Sequence, residues 1–150
     1  MRQEKGARAM SKQTVKPLGF FGSLMWLLLL FGGTSSPDTV TQTIAYESSG
    51  ESFEAQAWVA NVIRTRAEER KLTPSQVCLQ RRQFSCWNKG ANLTPRTAGE
   101  LRTAAKAWQA SEAMPRNVNL YHDISVLPWW AKSSKVTFIR RIGRLMFYYE

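Results

Sequence analysis

The stretch from Ser52 to Arg70 constrains the fold more than any other part of the chain. At helical spacing Phe53, Ala57, Ala60 and Ala67 fall on one face, and Trp58, Val59, Val62 and Ile63 widen it. A helix apolar over so much of its girth must be enclosed, which places it at the centre of the fold. Ser52 is a good N-cap, and Glu54 stands in the first turn, where the helix dipole favours a carboxylate. Arg64, Arg66, Glu68, Glu69 and Arg70 make the last turns polar, and Pro74 marks the stop beyond them.

The elements around this helix follow from local signals. Residues 75–96 read as a short helix and then irregular chain. Thr97-Ala98-Gly99-Glu100 is a capping box, and Leu101, Ala104, Ala105 and Trp108 continue at helical spacing until Pro115 ends the pattern. From Asn117 the texture changes. Val118, Leu120, Ile124, Val126 and Leu127 suggest extended chain broken at Pro128, and Val136 to Tyr149 suggests strands with a bend near Gly143. Helices first and a small antiparallel sheet late make an α+β domain. A length of 150 residues allows one such domain.

The first 36 residues have a different character. Arg2, Lys5, Arg8, Lys12 and Lys16 precede an uninterrupted apolar run from Leu18 to Phe31, and small residues follow from Gly32 to Ser36. This is the layout of a secretory signal or a signal anchor. The run is shorter than the roughly 20 residues that span a bilayer comfortably. It reads as export across, or anchoring in, the inner membrane, with the basic flank on the cytoplasmic side. Met10 is an alternative start. Residues 37–43 are polar, contain Pro37 and read as a linker, and residues 44–150 form the exported domain. The net charge of +10 favours anionic partners in general. The two cysteines, Cys78 and Cys86, are equally compatible with a disulfide and with buried thiols.

Few side chains in the exported part suit chemistry. A single histidine, His122, argues against a catalytic zinc site, which needs two or three histidines or a cysteine cluster. There is no nucleophile-elbow motif and no glycine-rich phosphate loop. Pairing His122 with Cys78 or Cys86 would need a cysteine at a helix start, and neither is at an obvious one. No cofactor is called for. Among the carboxylates, Glu68 and Glu69 sit among arginines, Glu100 caps a helix, and Asp123 follows His122 in a turn. Glu47 differs, because it lies in Ile44-Ala45-Tyr46-Glu47-Ser48-Ser49-Gly50-Glu51, against apolar neighbours at what reads as a helix entrance. An apolar seat raises a carboxyl pKa, as a general acid requires. Glu51 is either its partner or a cap for backbone amides. Aromatic residues gather in the non-helical parts, among them Trp87, Tyr121, Trp129, Trp130, Phe147, Tyr148 and Tyr149. Most suit ordinary core packing, and one or two suit a sugar-binding cleft.

The order of segments resembles the SleB-type cell wall hydrolases, the spore-cortex-lytic enzyme family. The family's acidic Gly-Glu-Ala-Arg-Gly-Glu motif is similar to Tyr46-Glu47-Ser48-Ser49-Gly50-Glu51, and its Gly-Gln to Ala55-Gln56. Its Val-Ala-x-Val looks like Val59-Ala60-Asn61-Val62, and its Asn-Arg like Thr65-Arg66. Pro74-Ser75-Gln76-Val77-Cys78 and Gln83-Phe84-Ser85-Cys86-Trp87 match two further motifs. So do Tyr121-His122, Pro128-Trp129-Trp130 and the run from Ile142 to Tyr148. The chain departs from the pattern in the first motif, which lacks a leading glycine and an arginine. It also departs at Thr65 and at Leu145, where the family carries asparagine and histidine.

The resemblance implies a small lysozyme-like, lytic-transglycosylase-like domain acting on peptidoglycan glycan strands. Glu47 would be the single catalytic glutamate. It would protonate the oxygen between N-acetylmuramic acid and N-acetylglucosamine, then help the muramic acid C6 hydroxyl close a 1,6-anhydro ring. Glu51, Gln56, Trp87, Tyr121, His122 and Tyr148 are the candidate substrate-binding residues, and neither metal nor nucleic acid is expected. A small exported wall enzyme also resembles the lysis or entry enzymes of bacteriophages. Two other readings stay open. One is an endopeptidase or hydrolytic muramidase on the same fold. The other is a non-enzymatic, membrane-tethered basic protein.

Overall fold

The computed structural model describes residues 38–150. The apolar run and basic flank read as an export signal lie outside the described residues. Among those described, no helix is long and apolar enough to cross a membrane.

Four helices precede a three-stranded sheet: α1 Thr39–Glu47, α2 Phe53–Arg70, α3 Pro74–Leu79 and α4 Ala98–Ala110, then β1 Leu120–Asp123, β2 Thr137–Ile142 and β3 Leu145–Tyr149. This is the α+β order expected from the sequence. Helix α2 is the axis of the fold, and its girth explains why. Ala57, Ala60, Ile63 and Ala67 face one cluster, formed with Val40 and Ile44 of α1, Val77 of α3, and Ala104 and Ala107 of α4. Ala55, Val59 and Val62 face a second cluster, formed with Val118, Ile142, Leu145 and Phe147 of the sheet region. Val59, Val62 and Ile63 are fully buried. Each such side chain contributes roughly 1.5–3 kcal/mol relative to exposure.

The helix ends follow their cap chemistry. Ser52 accepts from the Ala55 amide. Thr73 with Gln76, and Thr97 with Glu100, form reciprocal capping boxes, and Pro74 occupies the first turn of α3.

Residues 38–43, which composition reads as part of a linker, are not one. Asp38 caps α1 by accepting from the Thr41 amide at 2.7 Å, and the helix begins at Thr39. Val40 and Ile44, four residues apart, are both buried. The buried Thr43 is satisfied by donating to the Thr39 carbonyl and accepting from the Trp87 indole. Threonines with partners inside the fold account for a helix where composition alone reads as loop.

The sheet is antiparallel with β3 between β1 and β2. Tyr121 pairs with Phe147 and His122 with Met146 on one side, and Ile142 pairs with Leu145 on the other. Gly143 and Arg144 turn the β2–β3 hairpin. Gly143 has φ +56°, and a Cβ there would clash with the Glu51 carboxylate, which also accepts from the Arg144 amide at 3.3 Å. Glu51 therefore ties the α1–α2 loop to the hairpin turn. Gly143→Ala forces both a left-handed backbone and displacement of Glu51. It is expected to cost about 1–3 kcal/mol, read as a lower urea midpoint at unchanged slope.

Cys78 and Cys86 are free thiols, both buried. Burial pushes Cys78 from 9.0 to about 11. Burial, with the Glu47 carboxylate beside it, pushes Cys86 to about 12. In the unfolded chain these thiols ionise near 9, so between about pH 9 and 11 the folded state holds protons that the unfolded state has released. Stability is thus expected to fall as pH rises through that window. Thermal melts from pH 7 to 11 check this, and a melting temperature unchanged across that range would contradict it.

Candidate active site

Glu47 is the last residue of α1, at the negative end of the helix dipole. The sequence alone suggests a helix entrance, and the structure puts it at a helix exit. After it the chain turns out of the helix, with the Ser48 hydroxyl donating back to the Ile44 carbonyl and Gly50 at φ +77°. The Glu47 side chain is half-buried, and three donors converge on it. Oε1 accepts from the Ser85 hydroxyl at 3.0 Å and from the Cys86 amide at 3.3 Å. Oε2 accepts from the Tyr121 hydroxyl at 2.8 Å. Helix α1, the short 3-10 turn Ser85–Trp87 and strand β1 thus meet at one carboxyl group. Two of the donors are hydroxyls, which can also accept. The site can therefore accommodate the carboxyl group with or without its proton.

The carboxyl group opens on a cleft of about 350 Å³, whose walls include Arg66, Arg82, Ser85, Asn88, Tyr121 and Asp123. Desolvation, with the Glu47 carboxylate next in importance, holds the Tyr121 phenol well above its ordinary range, so the hydroxyl stays a donor. Arg66 is almost fully buried. Its Nε donates to the Asn119 carbonyl at 2.7 Å, while Nη1 has no acceptor among the described residues. Burial lowers its pKa to about 10, which leaves it charged at neutral pH, and its positive charge acts on Tyr121 and Glu47. A buried cation acts strongly over short range because little water screens it.

The other carboxylate of the cleft is already engaged. Asp123 accepts from Arg144 Nε and Nη2, each at 3.1 Å, and from the Ser125 amide at 2.8 Å. The Arg144 hydrogen bond comes first among the causes that hold it well below the usual carboxylate range. Asp123 is thus a fixed anion in a two-pronged ion pair.

The structure brings only part of the expected site together. Tyr121 touches Glu47 directly. His122 lines the cleft, but both ring nitrogens are occupied. Nδ1 lies 2.8 Å from the Asp123 carbonyl, which only accepts, so that nitrogen carries the proton. Nε2 then accepts from the Tyr148 hydroxyl at 3.0 Å. This arrangement leaves no His–Cys catalytic pair. Tyr148 is buried behind the cleft, stacked on His122 and met edge-on by Trp130 and Phe138. Glu51 serves the hairpin turn, and Gln56 reaches back to the Glu51 carbonyl, so neither is a cleft wall residue. Trp87 donates its indole N–H to Thr43 and lines a neighbouring groove. Two contributors are new. Arg66 reads in the sequence as part of a solvated helix end, and Ser85 as part of irregular chain. Both lie in segments that match family motifs.

The sequence pattern of cell wall hydrolases matches residues 50–148. The chain belongs to the cell wall hydrolase family. No curated protein and no solved structure matches it. As a family member it is a peptidoglycan-degrading enzyme, with the cell wall as its substrate. The cell wall hydrolase match begins three residues after Glu47, so the role of that residue rests on its geometry. The match spans α2, the Ser85 turn and all of the sheet but its last residue, the elements that carry Arg66, Ser85 and Tyr121.

Proposed function

We propose that the protein is a lytic transglycosylase in which Glu47 is the sole general acid and base. One observation carries the reading: the cleft offers a single carboxyl group free for proton transfer, because Asp123 is locked to Arg144. A retaining glycosidase needs a second carboxylate as nucleophile, and an inverting one needs a second as base. In the mechanism proposed, protonated Glu47 gives its proton to the glycosidic oxygen as the bond from C1 of N-acetylmuramic acid breaks. The resulting carboxylate takes the proton of the C6 hydroxyl as that oxygen bonds to C1. No water enters, and the enzyme ends in the protonation state in which it began. Tyr121, Ser85 and the Cys86 amide hold the carboxyl group in place. The buried Arg66 steadies it once it is an anion.

Mass spectrometry of muropeptides released from purified peptidoglycan tests this. Anhydro-muramyl ends are expected. Reducing muramic acid ends would indicate a hydrolytic muramidase, and new peptide termini an endopeptidase. Residues 1–36 are proposed to carry the domain across the inner membrane to this substrate, by the signal logic of their sequence. An alkaline phosphatase fusion after Glu150 should then be active in intact cells, and an inactive but full-length fusion would count against export.

A further inference from the structure

A second groove, of about 460 Å³, adjoins the Glu47 cleft and shares Arg82 and Asn88 with it. Arg81, Arg82 and Lys89 line it beside Trp87, and no carboxylate does. All three cations are exposed, and none has a hydrogen bond or ion pair among the described residues. Elsewhere the arginines are largely engaged. Arg116 pairs with Glu68, Arg140 with Glu54, Arg144 with Asp123 and Arg96 with Glu100.

The backbone here is built to present charge. Gln83 donates to the Gln80 carbonyl at 3.1 Å, closing a four-residue turn whose third residue, Arg82, has φ +63°. That position favours glycine, and a side chain there is strained. The other non-glycine residue in this conformation, Lys71, caps α2, which accounts for it. Arg82 ends no helix. Arg70 clamps the turn by donating to the side chains of both Gln80 and Gln83. Trp87 is fixed from behind by its bond to Thr43. The result is a firmly held, unneutralised cationic wall continuous with the place where the glycan reacts.

We propose that this groove is a subsite for the carboxylates of the peptide that peptidoglycan carries on its muramic acid. The inference rests on the glycan reading of the cleft. A sugar bound at Glu47 brings its own covalently attached peptide to the adjoining groove, so the anion best placed to occupy it is the substrate's. Guanidinium and ammonium groups at an exposed wall gain from carboxylates mainly in affinity and salt dependence.

The test uses the full chain carrying Glu47→Gln, so that binding is read without turnover. The ligands are soluble peptidoglycan fragments, either intact or with their carboxylates blocked as amides. Intact fragments are expected to bind about 10-fold more tightly at low salt, with the difference shrinking as salt rises. Adding Arg81→Gln, Arg82→Gln and Lys89→Gln together should erase the difference, and Arg81→Lys, Arg82→Lys and Lys89→Arg together should restore it. Equal affinity for the two ligands overturns the proposal, and so does a difference that survives the three glutamines. The muropeptide products test the glycan reading separately. A carboxylate preference lost on Arg81→Gln/Arg82→Gln/Lys89→Gln, with no anhydro ends from the unmodified enzyme, would keep the subsite and reject the transglycosylase.

Discussion

Glu47→Gln is expected to abolish wall lysis while leaving the domain folded. The amide is nearly the same size, and its oxygen can still accept from Ser85 and the Cys86 amide. Its NH₂ group faces the Tyr121 hydroxyl, which can accept as well as donate. Packing is therefore kept, and the thermal transition should stay close to that of the unmodified protein. What is lost is the proton. An amide cannot give one to the glycosidic oxygen or take one from the C6 hydroxyl, and general acid–base catalysis contributes about 10²–10⁴-fold. In the proposed mechanism both proton transfers depend on the same group, so the fall should lie at or beyond the upper end of that range. Glu51→Gln is the matched control. It weakens a bond to the hairpin turn and should leave most of the activity. A dead Glu51→Gln beside an active Glu47→Gln would move the catalytic assignment to the other carboxylate.

Much of the helical framework is legible in the residues themselves. The girth of α2, the Thr97 capping box and the glycine at the hairpin turn are local signals, and the structure uses each where it occurs. Helix α1 is different. Its first half is polar, and it becomes a helix because Val40 and Ile44 find a core and Thr43 finds Trp87. These partners are remote in sequence, and no window along the chain contains them. The same reason puts Glu47 at the wrong end of a helix in the sequence reading: with residues 37–43 taken as a linker, only α2 is left for the glutamate to introduce.

The site shows the same division. Glu47 and Tyr121 are 74 positions apart, and what links them in the sequence is the order of family-like motifs. Arg66 shows what composition hides. Surrounded by Arg64, Glu68, Glu69 and Arg70, it reads as one more solvated charge. Helical geometry turns it inward to Asn119 and the cleft instead. His122 is the reverse case. As the chain's one histidine it draws attention, yet its two nitrogens are spent on Asp123 and Tyr148. A residue type nominates a role, and only its remaining hydrogen-bond capacity decides whether it can fill it.

Tyr121→Phe should therefore separate positioning from packing more cleanly than any change at His122. The ring of Tyr121 packs against Phe147 at 5.9 Å between centroids, and phenylalanine keeps that contact. The hydroxyl has Glu47 as its hydrogen-bond acceptor. Removing it leaves the Glu47 carboxyl group held on one oxygen, by Ser85 and the Cys86 amide. The expected result is a fall in turnover of about 10-fold or more with little change in melting temperature. Substrate affinity should hold, because the bond lost orients the acid and does not bind the sugar. Unchanged turnover would reduce Tyr121 to a core residue and leave Glu47 positioned by the Ser85–Cys86 turn alone.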